Sequence, residues 1–571
     1  IRSKIPSSTV LLICLLALSC AVEKKQNKSV LGANEKKITS KLRIKSRHSF
    51  TRKIFNKNQT FVEKTKDWLE TNIDAQKIYL SDLNGDNKLE LITLSEKYSS
   101  PKIFEFDQAS KKFALTKKDN YFPRGFRASF LVFDDFNKDT LLDVYAGQFY
   151  LGVAFNVPPS QIMYGKNVDK NIEFTNELKI FKKGRPQSGV SMLDADRDGF
   201  LDFNQVFWLE RINGRNHFYP PNIVSAKGEV FEIFTSDNSI LSLGASSWSS
   251  EICDINSDGL VDILIANTSG HENFVLVARE RDDRFFFDSG HKRFKTLTKD
   301  SDAHNQLLGN GNTFGYLCGD FNNDGLLDLI SYEEKRELQD ASRDPIRVHF
   351  QMPPTNKSFP FESKPFPIGE KSYSIKNIID FDMDNDGDLD LIVENSGFPP
   401  RSRLMIFKNE GGRFIDITQQ SGIDLINPAG TIISDLDGDG KVELLIGQSK
   451  VRSASLSGHL KFFEQKSVSN NAVMFFLDGI SSNPNAIGAI VTLKTKSNTQ
   501  TAIVDYGKGI YTQGKRLLHF GLGKDRSFEL AVLWPFGRVK KTLYQGSISN
   551  GNKFTLCENG KVLPGISLCK R

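Results

Sequence analysis

The chain has 571 residues, 39% of them hydrophobic and 25% charged, with a formal net charge of +6. That length exceeds what one hydrophobic core supports, so two or more folded units are expected. The composition is that of a soluble globular protein and excludes a chain made mostly of membrane spans or low-complexity polymer.

The first element is a leader. Arg2 and Lys4 precede the apolar run Val10–Leu18, which ends at Ser19-Cys20. A basic start followed by a short apolar stretch reads as a secretory signal over residues 1–19, too short to span a bilayer comfortably. Small residues at Ala17 and Ser19 suit ordinary cleavage, while Leu16-Ala-Leu-Ser-Cys20 resembles a bacterial lipobox, which implies lipidation at Cys20. Residues 20–64 then form a basic tether. Positions 21–66 carry 14 Lys and Arg against three Glu, and with Arg2 and Lys4 set aside this leaves −7 on residues 67–571. An acidic body on a basic spacer is expected. Next to a lipid anchor the spacer would add attraction to an anionic membrane surface; secretion argues against nucleic acid as the partner.

From residue 65 to 465 one short acidic loop recurs seven times, starting at Asp82, Asp135, Asp194, Asp254, Asp320, Asp382 and Asp435, with 53 to 66 residues between starts. A period of this size means an array or a propeller. Position 3 is Asn84, Asn137, Asp196, Asn256, Asn322, Asp384 or Asp437. Position 5 is Asp86, Asp139, Asp198, Asp258, Asp324, Asp386 or Asp439. Position 9 is Glu90, Asp143, Asp202, Asp262, Asp328, Asp390 or Glu443. Four such groups in nine residues repel one another unless a cation sits among them. Ca²⁺, a hard ion taking six to eight oxygens, suits side chains at positions 1, 3, 5 and 9 and a backbone carbonyl at position 7. About four to seven ions are expected.

Glycine at position 6 (Gly199, Gly259, Gly325, Gly387 and Gly440) permits a left-handed turn. Asn87 and Thr140 stand there in the first two loops, and β-branched Thr suits that conformation poorly, so the second loop is the weakest site. Position 12 is never acidic, which removes an EF-hand. Apolar runs such as Leu389-Asp-Leu391-Ile392-Val393 follow each loop and read as strands. The nine-residue loop entering a strand resembles the FG-GAP/VCBS repeat of integrin α-subunit propellers. The resemblance implies an all-β fold, a seven-bladed β-propeller with calcium at blade edges, and the 44 Phe would mostly pack between blades.

After the linker Lys466–Asn470, runs of strand period such as Ala489–Thr495 and Gln500–Asp505 mark a small β-domain over 470–560, with 561–571 as a tail. Asn485-Ala-Ile-Gly488, Leu518-His519-Phe-Gly-Leu-Gly523 and Val532-Leu-Trp534-Pro535-Phe536-Gly537-Arg538 resemble the ASPIC/UnbV domain, departing from it at Phe536. Repeats joined to this domain are similar to the cartilage acidic protein family and its bacterial secreted relatives. That likeness implies a secreted or cell-envelope protein, an outer-membrane lipoprotein where Cys20 is acylated. Trp534 reads as a packing residue, with a ligand groove beside His519 or Arg538 as the lesser reading.

Cys557 and Cys569 are spaced to close a small loop, while Cys253 and Cys318 could bridge neighbouring repeats or pack as small hydrophobes. The eight His are scattered, and the chain has no HExxH helix, GxSxG elbow, Walker loop or dinucleotide fingerprint. The expectation is therefore not an enzyme but a calcium-binding adhesion module for an extracellular protein or glycan. The alternative is a secreted carbohydrate-active lyase or hydrolase on the same propeller, its carboxylates assembled in space.

Overall fold

The computed structural model describes residues 59–569 except 87, 96–97, 108, 119, 150–157, 169–170, 180–183, 213–214, 227–229, 232–243, 279–293, 297–306, 308–310, 336–344, 355–358, 369–372, 397–401, 437–440, 451–455, 457, 506–511, 514–516, 536–539 and 551. The expected leader, Cys20 and the expected tether up to residue 58 lie outside the described residues, as do Asn87, Asp437, Asp439, Gly440, Phe536 and Arg538.

The described chain is all-β, with only a few helical turns, such as Thr65–Trp68 and Thr418–Ser421. Each acidic loop joins the first two strands of a small antiparallel sheet. In the fourth, Ser246–Cys253 runs into the loop at Asp254, and Asp262–Thr268 leaves it; Phe274–Ala278 and Phe294–Thr296 complete the sheet. The other loops sit likewise between Lys77–Ser81 and Glu90–Leu94, Phe130–Asp134 and Asp143–Gly147, Gln187–Leu193 and Asp202–Phe207, Thr313–Gly319 and Asp328–Lys335, Tyr373–Phe381 and Asp390–Asn395, and Pro428–Ser434 and Glu443–Gln448. The acid at position 9 is thus always the first residue of the second strand.

Second strands are buried on both faces. Ile263, Leu264, Ile265 and Ala266 are all fully covered, which explains their continuous apolar run. Outer strands such as Lys102–Asp107 expose part of one face. Contacts pass from each sheet to the next. Leu131 N–H donates to the Tyr79 hydroxyl (3.1 Å), and the Tyr145 hydroxyl donates to Gln187 Oε1 (2.6 Å). Ser188 Oγ donates to the Ser247 carbonyl (2.7 Å). Glu334 pairs with Ser374 across the fifth and sixth sheets, and Thr431 Oγ1 donates to Glu394 Oε1 (2.7 Å) between the sixth and seventh. Gln448 N–H then reaches the Ala75 carbonyl beside the first sheet (3.1 Å). The seventh sheet takes its fourth strand from the chain's start: Phe61–Glu63 pairs with Lys461–Gln465. Aromatic rings fill the junctions, as where Phe203 stacks on Tyr145 (4.7 Å) and meets Phe136 edge-on (4.9 Å).

Both cysteine pairs are disulfides. Cys253–Cys318 links the last residue of one first strand to the penultimate residue of the next, and Cys557–Cys569 ties down the C-terminus. The first closes a separation of 65 residues, for which chain entropy gives roughly 4 kcal/mol. The Cys253→Ser/Cys318→Ser variant is expected to lose about that much in denaturant titration; an unchanged midpoint would show that the bridge adds nothing to stability.

Residues 471–564 form two four-stranded sheets around a separate core that includes Phe475, Phe528, Trp534 and Phe554. Val562–Pro564, in the expected tail, adds the last strand of one of them.

Candidate metal centres at the repeated loops

The first six loops share one hydrogen-bond scheme. In the fourth, Gly259 N–H donates to Asp254 Oδ2 (2.8 Å), Asp258 N–H to Asp254 Oδ1 (3.1 Å) and Leu260 N–H to Asp258 Oδ1 (2.9 Å). Position 1 therefore gathers the turn, as an Asx cap does. Both oxygens of Asp262 also accept backbone donors, from Ile255 (3.0 Å) and Ala278 (2.6 Å). Asp143, Asp328 and Asp390 repeat this double anchorage with Phe136 and Gly165, Phe321 and Gln351, and Met383 and Asn409. Glu90 and Glu443 hold Leu83 and Leu436 N–H. Position 9 thus fixes the loop to the sheet and keeps lone pairs to spare.

Two positions are left-handed in each turn from the second loop to the sixth. Thr140 adopts φ 73° despite its branched side chain, so the second loop has the same course as the others. Position 4 also has positive φ, at Gly85, Lys138, Arg197, Ser257, Asn323 and Asn385. Sequence reasoning missed this requirement because those residue types share nothing obvious. Holding the non-glycine residues there costs on the order of 1 kcal/mol each, which the surrounding hydrogen bonds offset.

In the third and sixth loops, carboxylate oxygens of Asp194, Asp196 and Asp202, and of Asp382, Asp384 and Asp390, lie within 4.8 Å of one another. These are positions 1, 3 and 9. Position 5 (Asp198, Asp386) stands outside the triads and is more exposed than position 1. Loops with Asn at position 3 bring together amide and carboxylate instead: Asn137, Asn256 and Asn322 donate to Asp139, Asp258 and Asp324 (2.9–3.0 Å), and Asn84 to Glu90 (3.1 Å). Burial raises Glu90, Asp143, Asp254 and Asp320 to about 7, and Asp328 and Asp390 to about 8. Burial also holds Asp202, Asp262 and Asp382 well above the usual carboxylate range, and neighbouring loop carboxylates add to it.

The donor set fits a hard cation. Asp320 Oδ1, Asp384 Oδ1 and Asp435 Oδ1 are buried and accept no hydrogen bond. A divalent ion would satisfy such oxygens and remove the repulsion that favours protonation. In the sixth loop an ammonium group already lies there: Lys408 is hydrogen-bonded to Asp384 and is 3.2 Å from Asp386 Oδ2. Burial opposes its charge, but the two carboxylates hold its pKa up. Lys408→Met is expected to tighten divalent-ion binding at this loop by about threefold to tenfold, because a like charge leaves the site. Unchanged or weaker binding in a calcium titration would mean that Lys408 does not compete.

The C-terminal module packs directly on these loops. Thr501 N–H donates to Asp320 Oδ2 (3.0 Å), Lys553 Nζ pairs with Asp435 Oδ2 (2.8 Å), and Gly523 N–H donates to the Asn385 carbonyl (2.8 Å). Lys138 reaches the Ser481 carbonyl (2.9 Å). Thr512 and Gln513 pair in parallel with Ile78 and Tyr79, and the Gln513 amide exchanges hydrogen bonds with Phe133 N–H and C=O. A cavity of about 280 Å³ remains between the module and the fifth to seventh sheets, lined partly by Asp320, Asp382, Asp435 and His519. Burial lowers His519 to about 4, so it is neutral there. Trp534 is 2% exposed and donates to Thr542 Oγ1 (3.0 Å), which makes it a packing residue. His349, held between Ser331 and Ser363, is likewise structural.

Two family profiles match: the FG-GAP-like repeat over residues 382–446 and the ASPIC and UnbV domain over residues 479–547. The chain is 26% identical to human cartilage acidic protein 1 over 245 residues, which are 41% of this chain and 35% of that protein. It is 27% identical to the Xenopus tropicalis protein over 248 residues, 41% of this chain and 36% of that one. The chain thus spans about a third of the length of these curated relatives. Among solved structures, BBS1N in complex with ARL6DN aligns with 72% of this chain and 99% of its own (9% identity, TM-score 0.39). An extracellular domain assigned to a hybrid two component system, BT4673 of B. thetaiotaomicron, aligns with 86% and 59% (8% identity, TM-score 0.38).

Proposed function

We propose, from the premise that this chain joins FG-GAP-like repeats to an ASPIC/UnbV domain, that it is an extracellular, calcium-stapled binding module of the adhesion type. The repeats would form a closed seven-bladed propeller. What supports closure is the run of contacts from sheet to sheet and back to the first, with Phe61–Glu63 completing the seventh. The ions would sit in the repeated loops, held by positions 1, 3 and 9, with position 5 joining as the loop tightens. Two disulfides favour an oxidising compartment, and no helix among the described residues is long and apolar enough to cross a membrane.

The single observation that carries the reading is the seat of the C-terminal module. It rests on Asp320, Asn385 and Asp435, so calcium there would act as mortar between domains and not as an exposed Lewis acid. This favours binding over catalysis. The chain's own residues bind and orient, while the ions supply charge balance and rigidity. The reading is tested by retention of the full chain on polysaccharide and protein columns in calcium and in EDTA, with polymer length followed afterwards. Calcium-dependent retention of intact polymer or protein is expected. Shortened polymer would overturn the non-catalytic role, and retention unaffected by EDTA would separate binding from calcium.

A further inference from the structure

Five of the seven first strands carry extra residues relative to their partner strand, at Ser188, Trp248, Phe314, Lys376 and the Ala429–Gly430 step. A bulge leaves its extra residue out of the ladder and re-aims that side chain. Here the re-aimed groups of three successive sheets meet. The Trp248 and Phe314 rings are 4.8 Å apart, and Lys376 Nζ lies 3.9 Å from the Phe314 centroid and 5.3 Å from that of Trp248. Trp208 and Phe149, just past the second strands of the third and second sheets, close on Trp248 edge-on at 5.2 and 5.8 Å.

These positions lie at the ends of the strands away from the acidic loops, and the C-terminal module packs on the loop-bearing ends. The chain has four Trp. Trp68 and Trp534 are core residues, 6% and 2% exposed, whereas Trp208 and Trp248 remain partly exposed. Partly exposed aromatic faces offer flat apolar area with little entropy to lose. Sugar rings present such a face through their axial C–H groups and keep hydroxyls for the polar rim. The Lys376 ammonium decides the class: it repels a cationic ligand and complements an anionic one.

We infer that the Trp208–Trp248–Phe314 cluster, with Lys376, binds acidic carbohydrate, with a pyranose ring packed on the indoles and a carboxylate or sulfate held by Lys376. The site deepens the binding role proposed above and rests on it.

The test uses the full chain in calcium at about 0.15 M salt, where weak surface attraction is screened. Probes are hexagalacturonate, a heparin-derived hexasaccharide and neutral maltohexaose, read by calorimetry and tryptophan fluorescence. At least one acidic hexasaccharide is expected to bind, with a carboxylate or sulfate preference shown by which one, and maltohexaose to bind at least tenfold more weakly. Trp248→Ala is expected to abolish binding and Lys376→Gln to weaken it about tenfold. Lys364→Gln, which removes another cation lying over a ring (Phe350, 5.0 Å), should leave binding intact. Lys376→Gln leaves the aromatic packing in place and so stays decisive if Trp248→Ala misfolds. Equal binding of the neutral sugar, no acidic binding, or wild-type affinity in Lys376→Gln overturns the site. If calcium-dependent retention on a protein column persists while no sugar binds, the carbohydrate assignment fails and the binding module stands.

Discussion

Stripping calcium at pH 8 is expected to lower the melting temperature on the order of 10 °C, while at pH 5 the same treatment changes it little. The basis is the buried carboxylates. Glu90, Asp143, Asp254 and Asp320 are raised to about 7, and Asp328 and Asp390 to about 8, by burial first, with the carboxylates of the same loop adding to it. Unfolded, they titrate near 4. Between about pH 4 and 8 the calcium-free folded chain therefore holds protons that the unfolded chain has released. Stability from these groups is complete below about pH 4 and is lost as pH rises through 7 to 8. An ion takes the protons' place. At free calcium 100-fold above its dissociation constant each site adds about 2.7 kcal/mol, and several sites in a chain this long give the stated shift. Melting curves in calcium and in EDTA from pH 5 to 8 check this. A gap that is constant or narrows with pH would mean that the loop carboxylates are not the ligands.

Gly521→Ala is expected to free the C-terminal module from the sixth loop. A Cβ at 521 would lie 1.8 Å from Asp382 Oδ2 and 2.6 Å from the Asn385 carbonyl carbon. Neither can give way easily, since Asp382 holds the N–H groups of Asp386 and Gly387. Overpacking of this kind costs about 3 kcal/mol. The module has its own core, so it should stay folded while its docking loosens. The melt should split into two transitions, and proteases should cut within residues 466–470. A single transition at the wild-type temperature, with no new cleavage, would show that the contact with the loop does not hold the domains together.

The sequence carried the repeat well because the loop's work is done by side chains of fixed type. Positions 1, 5 and 9 bind backbone donors in each of the first six loops, so carboxylates recur there and the strand after them is legible from its burial on both faces. What stayed hidden is backbone work and long-range pairing. Position 4 needs positive φ, yet Lys138, Arg197 and Ser257 give no sign of it. Phe61–Glu63 is too short for a period to show, and its partner lies some 400 residues away, in a stretch whose charge reads as tether. The bulges at Trp248, Phe314 and Lys376 depend on register, which only the partner strand reveals. The docking of Thr501 and Lys553 on Asp320 and Asp435 joins two modules that separately read as complete.

The most direct measurement is the number of calcium ions retained by the full chain after dialysis at pH 7.5, compared with an Asp194→Ala/Asp382→Ala variant. The account predicts about four to seven ions per chain and a loss of two in the variant. No bound calcium, or the same number in both proteins, would contradict it.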